Sequence, residues 1–564
     1  MENPEIARLL AETADLMEIA GEDPFRIRSY RNAAAAIENH PERIFDILRD
    51  PQRDVTAIAG IGKGIAGALK EIAERGSFAR RDEMLAKYPP TALEMLRIPG
   101  VGPKTVRALW EHFRVSTLED LARLCEEQKV RGLRGLGAKM EQKILAGIAQ
   151  YRQVAGRFLL NHAAAVAAEL APRVNGTPAG SLRRGRETVG DLDILSTDPE
   201  AIGRFLSHPL VHDVLAHGET KASARFGGEG LQVDVRVVSP ESFGAALQYF
   251  TGSKDHNVAL RQRALKMGYT LNEYGLFTVE GARRVAGETE QEVYAALGLA
   301  WIPPELRENQ GEIDAAEHGR LPRLVEETGL RGDLHMHTRE SDGRATLAEM
   351  AAAARERGYQ YIAITDHSKA LAMANGLDER RAVAFAAEVR RFNQSAPGIH
   401  VLSGLECDIL RNGRMDLDED ALAGLDFVVA SVHSYMNLEP REMTDRLLRA
   451  MECPAVKALG HPTGRVLLHR DAYHYEFETI AREAARRGVW LEINSSPERL
   501  DLHASLIRRA RELGCRFVIS TDAHHPRHLA NIRFGVQMAR RGWLEPADVV
   551  NTLPLDDLRS AMRK

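Results

Sequence analysis

Between residues 330 and 564 the chain repeats one pattern seven times: a short apolar run of strand character, then a stretch of helical periodicity. The runs are LRGDLHMH (330–337), YIAITDH (361–367), HVLSGLE (400–406), FVVASVH (427–433), AVKALGH (455–461), VWLEIN (489–494) and FVISTDAH (517–524). Serial βα units pair as a parallel sheet, and seven of them predict a barrel or near-barrel. Such folds gather their chemistry at the C-terminal ends of the strands. Six of the seven runs end in His, Asp or Glu. One histidine there would be ordinary packing, but six ligand-type residues at the same end predict a site. Imidazole with carboxylate suits Zn²⁺, Mn²⁺ or Fe²⁺. Close metal ions of that kind suit hydrolysis of a phosphoester.

The N-terminal third is different. Residues 1–155 read as all-helical, and one motif recurs three times: AGIGKGIA (59–66), PGVGPKTV (99–106) and RGLGAKME (134–141). Each places an apolar residue between two glycines and follows it with a lysine: Gly60, Gly62 and Lys63; Gly100, Gly102 and Lys104; Gly135, Gly137 and Lys139. Glycine lets backbone amides approach a ligand, and a helix start favours an anion. The arrangement suits a DNA phosphate without reading sequence. From Lys129 to Arg157 there are seven Lys/Arg against one acid, although the whole chain carries a net charge of −5.

A second cluster of acids lies in GSLRRGRETVGDLDIL (180–195). Asp191 and Asp193 are two apart in a strand-like run, so both carboxylates project from one face. LQVDVRVV (231–238) offers a third, Asp234. Hard carboxylates of this kind attract Mg²⁺. Two ions about 4 Å apart can activate a hydroxyl and stabilise a leaving pyrophosphate. Gly180, Ser181 and Arg184 supply an amide, a hydroxyl and a guanidinium for phosphates.

The three glycine motifs resemble helix-hairpin-helix elements. GSLRRGRETVGDLDIL resembles the nucleotidyltransferase signature of family X DNA polymerases, and ALQYFTGSKDHNVALRQRALKMGYTLNEYGLF (246–277) resembles that family's nucleotide-binding block. The resemblance implies that Asp191, Asp193 and Asp234 are catalytic and bind Mg²⁺. It places Ser181, Arg184 and Gly190 at the triphosphate, Tyr249 and Phe250 at the sugar, Gly252 against the nucleotide, Asn257 at the base and Arg261 on the template side. Two departures stand out: Lys254 replaces an acid and His256 an aromatic. The family's lyase lysine falls at Ala68, so no lyase is expected there. FRIRSYRNAAAAI (25–37) resembles the family's 5′-phosphate region, with Arg26, Tyr30 and Arg31 as candidate DNA contacts.

DLHMHT, the DG at 342–343, ITDHS, GLE, SVH, GHP and STDAHH resemble, in order, the motifs of the PHP (polymerase and histidinol phosphatase) family. The resemblance implies a site for up to three ions, Mn²⁺ or Zn²⁺. One would use His335, His337, Glu406 and Asp522; a second Glu406, His433 and His461; a third Asp342, His367 and His524. Glu492 and Asn494 are expected behind these ligands. Asp333 and Asp366 are expected to orient the histidines, and Arg465 and His525 to meet phosphate. Both resemblances together are those of bacterial family X polymerases. They imply short-gap DNA synthesis in repair with 3′–5′ exonuclease action, and besides it cleavage at abasic sites or removal of 3′-phosphates.

The expected organisation is multidomain: an 8-kDa-like helical DNA-binding domain (1–85), helix-hairpin-helix fingers (86–155), an α+β palm (156–240), a nucleotide-selection thumb (241–318), a linker (319–329) and a distorted (β/α)7 phosphoesterase barrel (330–564). The expected partners are gapped or nicked DNA and dNTPs, with the chain a monomer. No apolar run reaches the ~20 residues that span a bilayer. No secretory signal opens the chain, and four dispersed cysteines read as reduced thiols, so a cytoplasmic setting is expected. The competing reading is a PHP phosphatase for small phosphoesters tethered to DNA, and after it a noncatalytic DNA-end scaffold.

Overall fold

The computed structural model describes residues 3–38, 43–50, 52–58, 60–98, 101–133, 135–154, 156–395 and 398–563. They form two units, 1–155 and 156–564.

Among the described residues, helices alone build the first unit, in keeping with its glycine-punctuated periodicity. In the first motif, Ile61 is buried while Gly62 caps the helix Lys63–Arg75 in extended backbone. Gly102 does the same for Pro103–Phe113, with proline at the favoured first turn. Gly137 precedes the helix Ala138–Val154. Gly60 and Gly135 have φ of 95° and 89°, where a side chain would be strained. Gly100 lies outside the described residues. The apolar residue of each motif is buried and Lys63, Lys104 and Lys139 are exposed.

The palm is a five-stranded sheet of β1 (Gly176–Pro178), β2 (Asp191–Ser196), β3 (Val211–His217), β4 (Lys221–Phe226) and β5 (Leu231–Val237), in the order β1-β2-β5-β4-β3. Its central pair, β2 and β5, is parallel, with Asp193 directly opposite Asp234. Helices Phe243–Thr251 and Lys254–Lys266 and a three-stranded hairpin sheet follow.

The barrel strands are β6 (Gly332–Asp333), β7 (Tyr361–Ile364), β8 (His400–Asp408), β9 (Phe427–Ser431), β10 (Val456–Leu459), β11 (Trp490–Asn494) and β12 (Phe517–Ser520). All pairs are parallel and run in sequence order. The ring closes between its first and last members by bonds from His337 N to Ala523 O (2.8 Å) and Asp522 N to His335 O (2.9 Å). Below that, the buried Asn551 side chain bridges the seam. Its Nδ2 donates to Gly332 O and Ile519 O, and its Oδ1 accepts from Ile519 N.

Period-two alternation places apolar residues low in the barrel and ligands high. Along β8 the inward series is Leu402, Gly404, Glu406, Asp408. Along β11 it is Trp490, Glu492, Asn494, and along β12 Val518, Ser520 and then Asp522 beyond the strand. Leu402, Trp490 and Val518 pack with Leu558 and Met562 of the C-terminal helix, which plugs the floor. A Cβ on Gly404 would come within 2.7 Å of Phe427 O, so the narrow interior requires glycine there.

Palm and barrel share one core and are pinned by charge. Glu187 lies 3.4 Å from Arg465 and 3.3 Å from His503. Burial raises its pKa, but His503, Arg465 and Arg541 outweigh this and hold it down at about 2. Arg541 donates to Arg184 O (2.9 Å) and Glu308 (3.0 Å). Segment 319–329 is docked rather than free, with Val325 buried and its N bonded to Leu544 O.

Candidate metal centres

All nine ligand candidates of the barrel converge on its mouth. Glu406 is the hub: its oxygens lie 2.8 Å from His461 Nε2, 2.8 Å from His367 Nδ1, 3.4 Å from His433 Nε2 and 3.5 Å from His335 Nε2. Asp522 lies 3.1 Å from His337 Nε2. Asp342, half-exposed in a loop, stands 3.5 Å from His367 and 3.3 Å from His524.

Among the described residues, three groups bring their ligand atoms within 4.8 Å of one another: His337, Asp342, His367 and His524; His335, His337 and Asp522; and His367, Glu406 and His433. The division therefore differs from the expected one. His337 joins the Asp342 group, and His367 takes the place beside Glu406 and His433 where His461 was expected. His461 still contacts Glu406 directly.

The donor chemistry fits divalent ions. Among the described residues, Nε2 of His335, Nδ1 of His337, Nδ1 of His367 and Oε2 of Glu406 are buried and make no hydrogen bond, although the last two lie 2.8 Å apart. Buried polar atoms are rarely left so. Burial, with His524 and His367 beside it, pushes His337 down to about 3, the neutral form that ligates metal. Burial alone would raise Glu406, but His433, His335 and His367 hold it well below the usual carboxylate range.

Supporting contacts only partly follow the sequence reading. Glu492 accepts from His335 Nδ1 at 2.7 Å, and Asn494 donates to Asp522 at 3.1 Å, as expected for residues behind the ligands. Asp333 and Asp366 do not reach the imidazoles. Asp333 accepts from Thr521 and the His335 amide, and Asp366 from Thr338 and Ser341, so both brace loop backbone. Arg465 donates to Arg499 O, Leu500 O and Glu187, so Nε and one terminal nitrogen serve the protein itself. His525 caps the turn at Pro526. Sequence reasoning missed Asp408, which accepts from His433 Nδ1. Its signal was its place two residues beyond Glu406 on the same strand face. Also missed was Arg499, whose Nε lies 3.9 Å from Asp522 and whose NH1 is buried without a hydrogen bond among the described residues.

In the palm, Asp191, Asp193 and Asp234 share one sheet face but do not form a group of the spacing found in the barrel. Burial, then the charges of Asp191 and Asp234, push Asp193 up to about 7. That mutual repulsion fits a divalent cation. Asp234 is held low: burial raises it, and bonds from Lys221, Ser223 and Gln232 outweigh burial. Lys221 Nζ sits 2.9 Å from Asp234. Gly180 has φ 64°, and a Cβ there would meet Asp193 Oδ2 at 3.0 Å. Ser181 is partly exposed beside it, and Gly190 precedes β2.

Several nucleotide candidates are engaged within the protein. Arg184 donates to Thr251 O and Glu308. Asn257 donates to Tyr249 O and accepts from Gln248, both at 2.7 Å, and so braces the aromatic pair. Tyr249 and Phe250 meet edge to face at 5.2 Å, and Arg236 lies over Phe250. Gly252 has φ 68°, and Arg261 is exposed. His256 is fully buried between Glu312 (2.6 Å) and Tyr294 (2.8 Å), which accounts for an imidazole at an aromatic position. In the first unit, Arg26 is exposed, Tyr30 stacks on Phe78, and Arg31 pairs with Asp15 and Glu18. Ala68 lies on the buried face of its helix.

A palm with paired strand carboxylates and a barrel mouth lined with imidazoles define a two-centre, metal-dependent enzyme of phosphate esters. Residues 1–78 match the helix-hairpin-helix domain, 92–150 the SAM-like helix-hairpin-helix tandem, 246–308 the DNA polymerase beta thumb and 333–496 the PHP domain. The chain is 37% identical, over the full length of both proteins, to the DNA polymerase/3′-5′ exonuclease PolX of Bacillus subtilis. It belongs to the family X DNA polymerases that carry a PHP domain. DNA polymerase lambda of Arabidopsis thaliana is 27% identical over 54% of this chain and 62% of its own. A probable phosphatase of Photobacterium profundum is 32% identical over 35% of this chain and 80% of its own.

Proposed function

We propose that the chain fills short gaps in DNA and trims or unblocks 3′ ends, serving repair in the cytoplasm. The polymerase reading is carried by Asp193 set in register with Asp234 beside Asp191, with the Asp193 carboxyl pushed up to about 7. Mg²⁺ held by these three aspartates would supply the charge neutralisation that phosphoryl transfer needs. Gly180, Ser181 and Gly190 border the triphosphate, and the Tyr249–Phe250 pair disfavours a 2′-hydroxyl. Arg184 and Asn257 keep their partners in the free protein and meet the nucleotide only by exchanging them. Arg261 faces the template.

The barrel ligands suit Mn²⁺ or Zn²⁺, which would supply an activated water for phosphodiester cleavage. Glu492 and Asp408 keep His335 and His433 aimed inward, and Arg499 is the guanidinium placed to hold a phosphate. We read 1–85 and 86–155 as sequence-blind DNA grips, 156–240 as the nucleotidyltransfer module and 241–318 as the nucleotide-selecting one. Segment 319–329 joins these to the phosphoesterase of 330–564. No described helix is long and apolar enough to cross a membrane.

The test uses a labelled gapped duplex with Mg²⁺ or Mn²⁺, with and without dNTPs. Asp191→Ala/Asp193→Ala should abolish extension and spare shortening, and His335→Ala should do the reverse. Phosphate release from small esters without primer shortening would favour the phosphatase reading instead. Loss of both activities in each variant would refute two separate centres.

A further inference from the structure

Two residues beyond His433, the chain does something unusual. Tyr435 has φ 52°, a left-handed conformation that non-glycine residues seldom adopt. Its side chain is nevertheless sent outward and is 59% exposed. Backbone strain of this kind persists only where the surroundings impose it, and here they do. Arg446, 2% exposed, donates to Ser434 O (2.9 Å) and Tyr435 O (3.5 Å) on one side. On the other it donates to Leu410 O (3.0 Å) and Ile409 O. A single buried guanidinium thus ties the loop after β9 to the loop after β8. Arg449 adds a bond to Asn412 O (2.9 Å). The two loops then present a composite surface, with the Arg411 guanidinium 5.7 Å from the centroid of the Tyr435 ring.

We propose that Tyr435, backed by Arg411, is a stacking platform for the base of an unpaired 3′-terminal nucleotide whose phosphate enters the barrel. This rests on the exonuclease reading of the barrel and adds the side chain that would hold the terminal base. The position fits: two residues of chain span at most about 7 Å, so the ring stands within a nucleotide's reach of His433. The chemistry fits as well. An exposed aromatic face takes any base, and a guanidinium on its other side deepens the attraction. A paired terminus keeps its base in the helix and cannot use the surface. Tyr435 acts as a binding residue and leaves the hydrolytic groups untouched.

The test uses the full chain and a single strand ending in 3′ 2-aminopurine, with Ca²⁺ replacing the active metal. Wild type should quench the fluorescence. Tyr435→Ala should lose the quench and bind about tenfold more weakly, on the order of 1.4 kcal/mol. Tyr435→Phe and Tyr435→Trp should restore both. With Mn²⁺, Tyr435→Ala should raise KM for base-bearing 3′ ends and leave kcat unchanged. It should also abolish the preference over ends that terminate in a tetrahydrofuran abasic residue. If wild type treats base-bearing and abasic ends alike and Tyr435→Ala changes neither, the platform is overturned while the exonuclease reading stands. If wild type shortens neither substrate, the exonuclease reading itself fails.

Discussion

His335 gives its Nδ1 proton to Glu492 at 2.7 Å and thereby turns Nε2 toward Glu406 and Asp522. A carboxylate behind a ligating imidazole fixes its tautomer and raises its basicity. Glu492→Gln should lower the barrel's metal affinity by about 10–100-fold, measured by titration calorimetry with Mn²⁺. Primer extension should be unaltered.

Glu290 makes paired bonds to Arg183 and to Arg307, joining palm to thumb. Burial raises its pKa, but the two guanidinium groups outweigh burial and hold it at about 2, against an ordinary 4.5. A depressed carboxyl stabilises the fold fully above the unfolded value, and its contribution fades as pH falls from 4.5 toward 2. The contribution is on the order of 3 kcal/mol. Melting temperature should drop across that window, and Glu290→Gln should be less stable at pH 7 with a flatter acid profile.

Asn551 satisfies three backbone groups at the barrel seam. Asn551→Ala strands them in a buried place and should cost roughly 2–3 kcal/mol. Asn551→Asp, which removes both donors and adds a charge, should cost more. Differential scanning calorimetry of the full chain reads both.

Lys63, Lys104 and Lys139 stand exposed at three helix starts. If each neutralises one phosphate, each Lys→Ala should reduce the slope of log affinity against log salt by about 0.9. The triple variant should lose affinity equally for unrelated DNA sequences. A change confined to one sequence would contradict a phosphate role.

The barrel was readable because its ligands end consecutive strands, where a period of two carries them to one mouth. The grouping of those ligands was not, because His337 and His367 sit between neighbours and only packing decides which they approach. Asp408 was within reach, being two residues past Glu406. The partners of Arg465 were not, because nothing local reveals that Leu500, Arg499 and the distant Glu187 lie against it. The acids paired with Arg31 were equally hidden, since they lie one helix back at Asp15 and Glu18. In the palm, strand alternation anticipated the carboxylates. The Lys221 contact came from an adjacent strand and had no signal in the sequence.

Glu187 lies three residues beyond Arg184, which caps the short helix Gly180–Arg183 carrying Ser181, and its carboxylate is anchored in the barrel by Arg465 and His503. Synthesis and trimming are therefore machined into one block of metal rather than hung on a hinge. On such a frame, any traffic of a strand terminus between the two clefts would fall to the nucleic acid and not to a swinging domain.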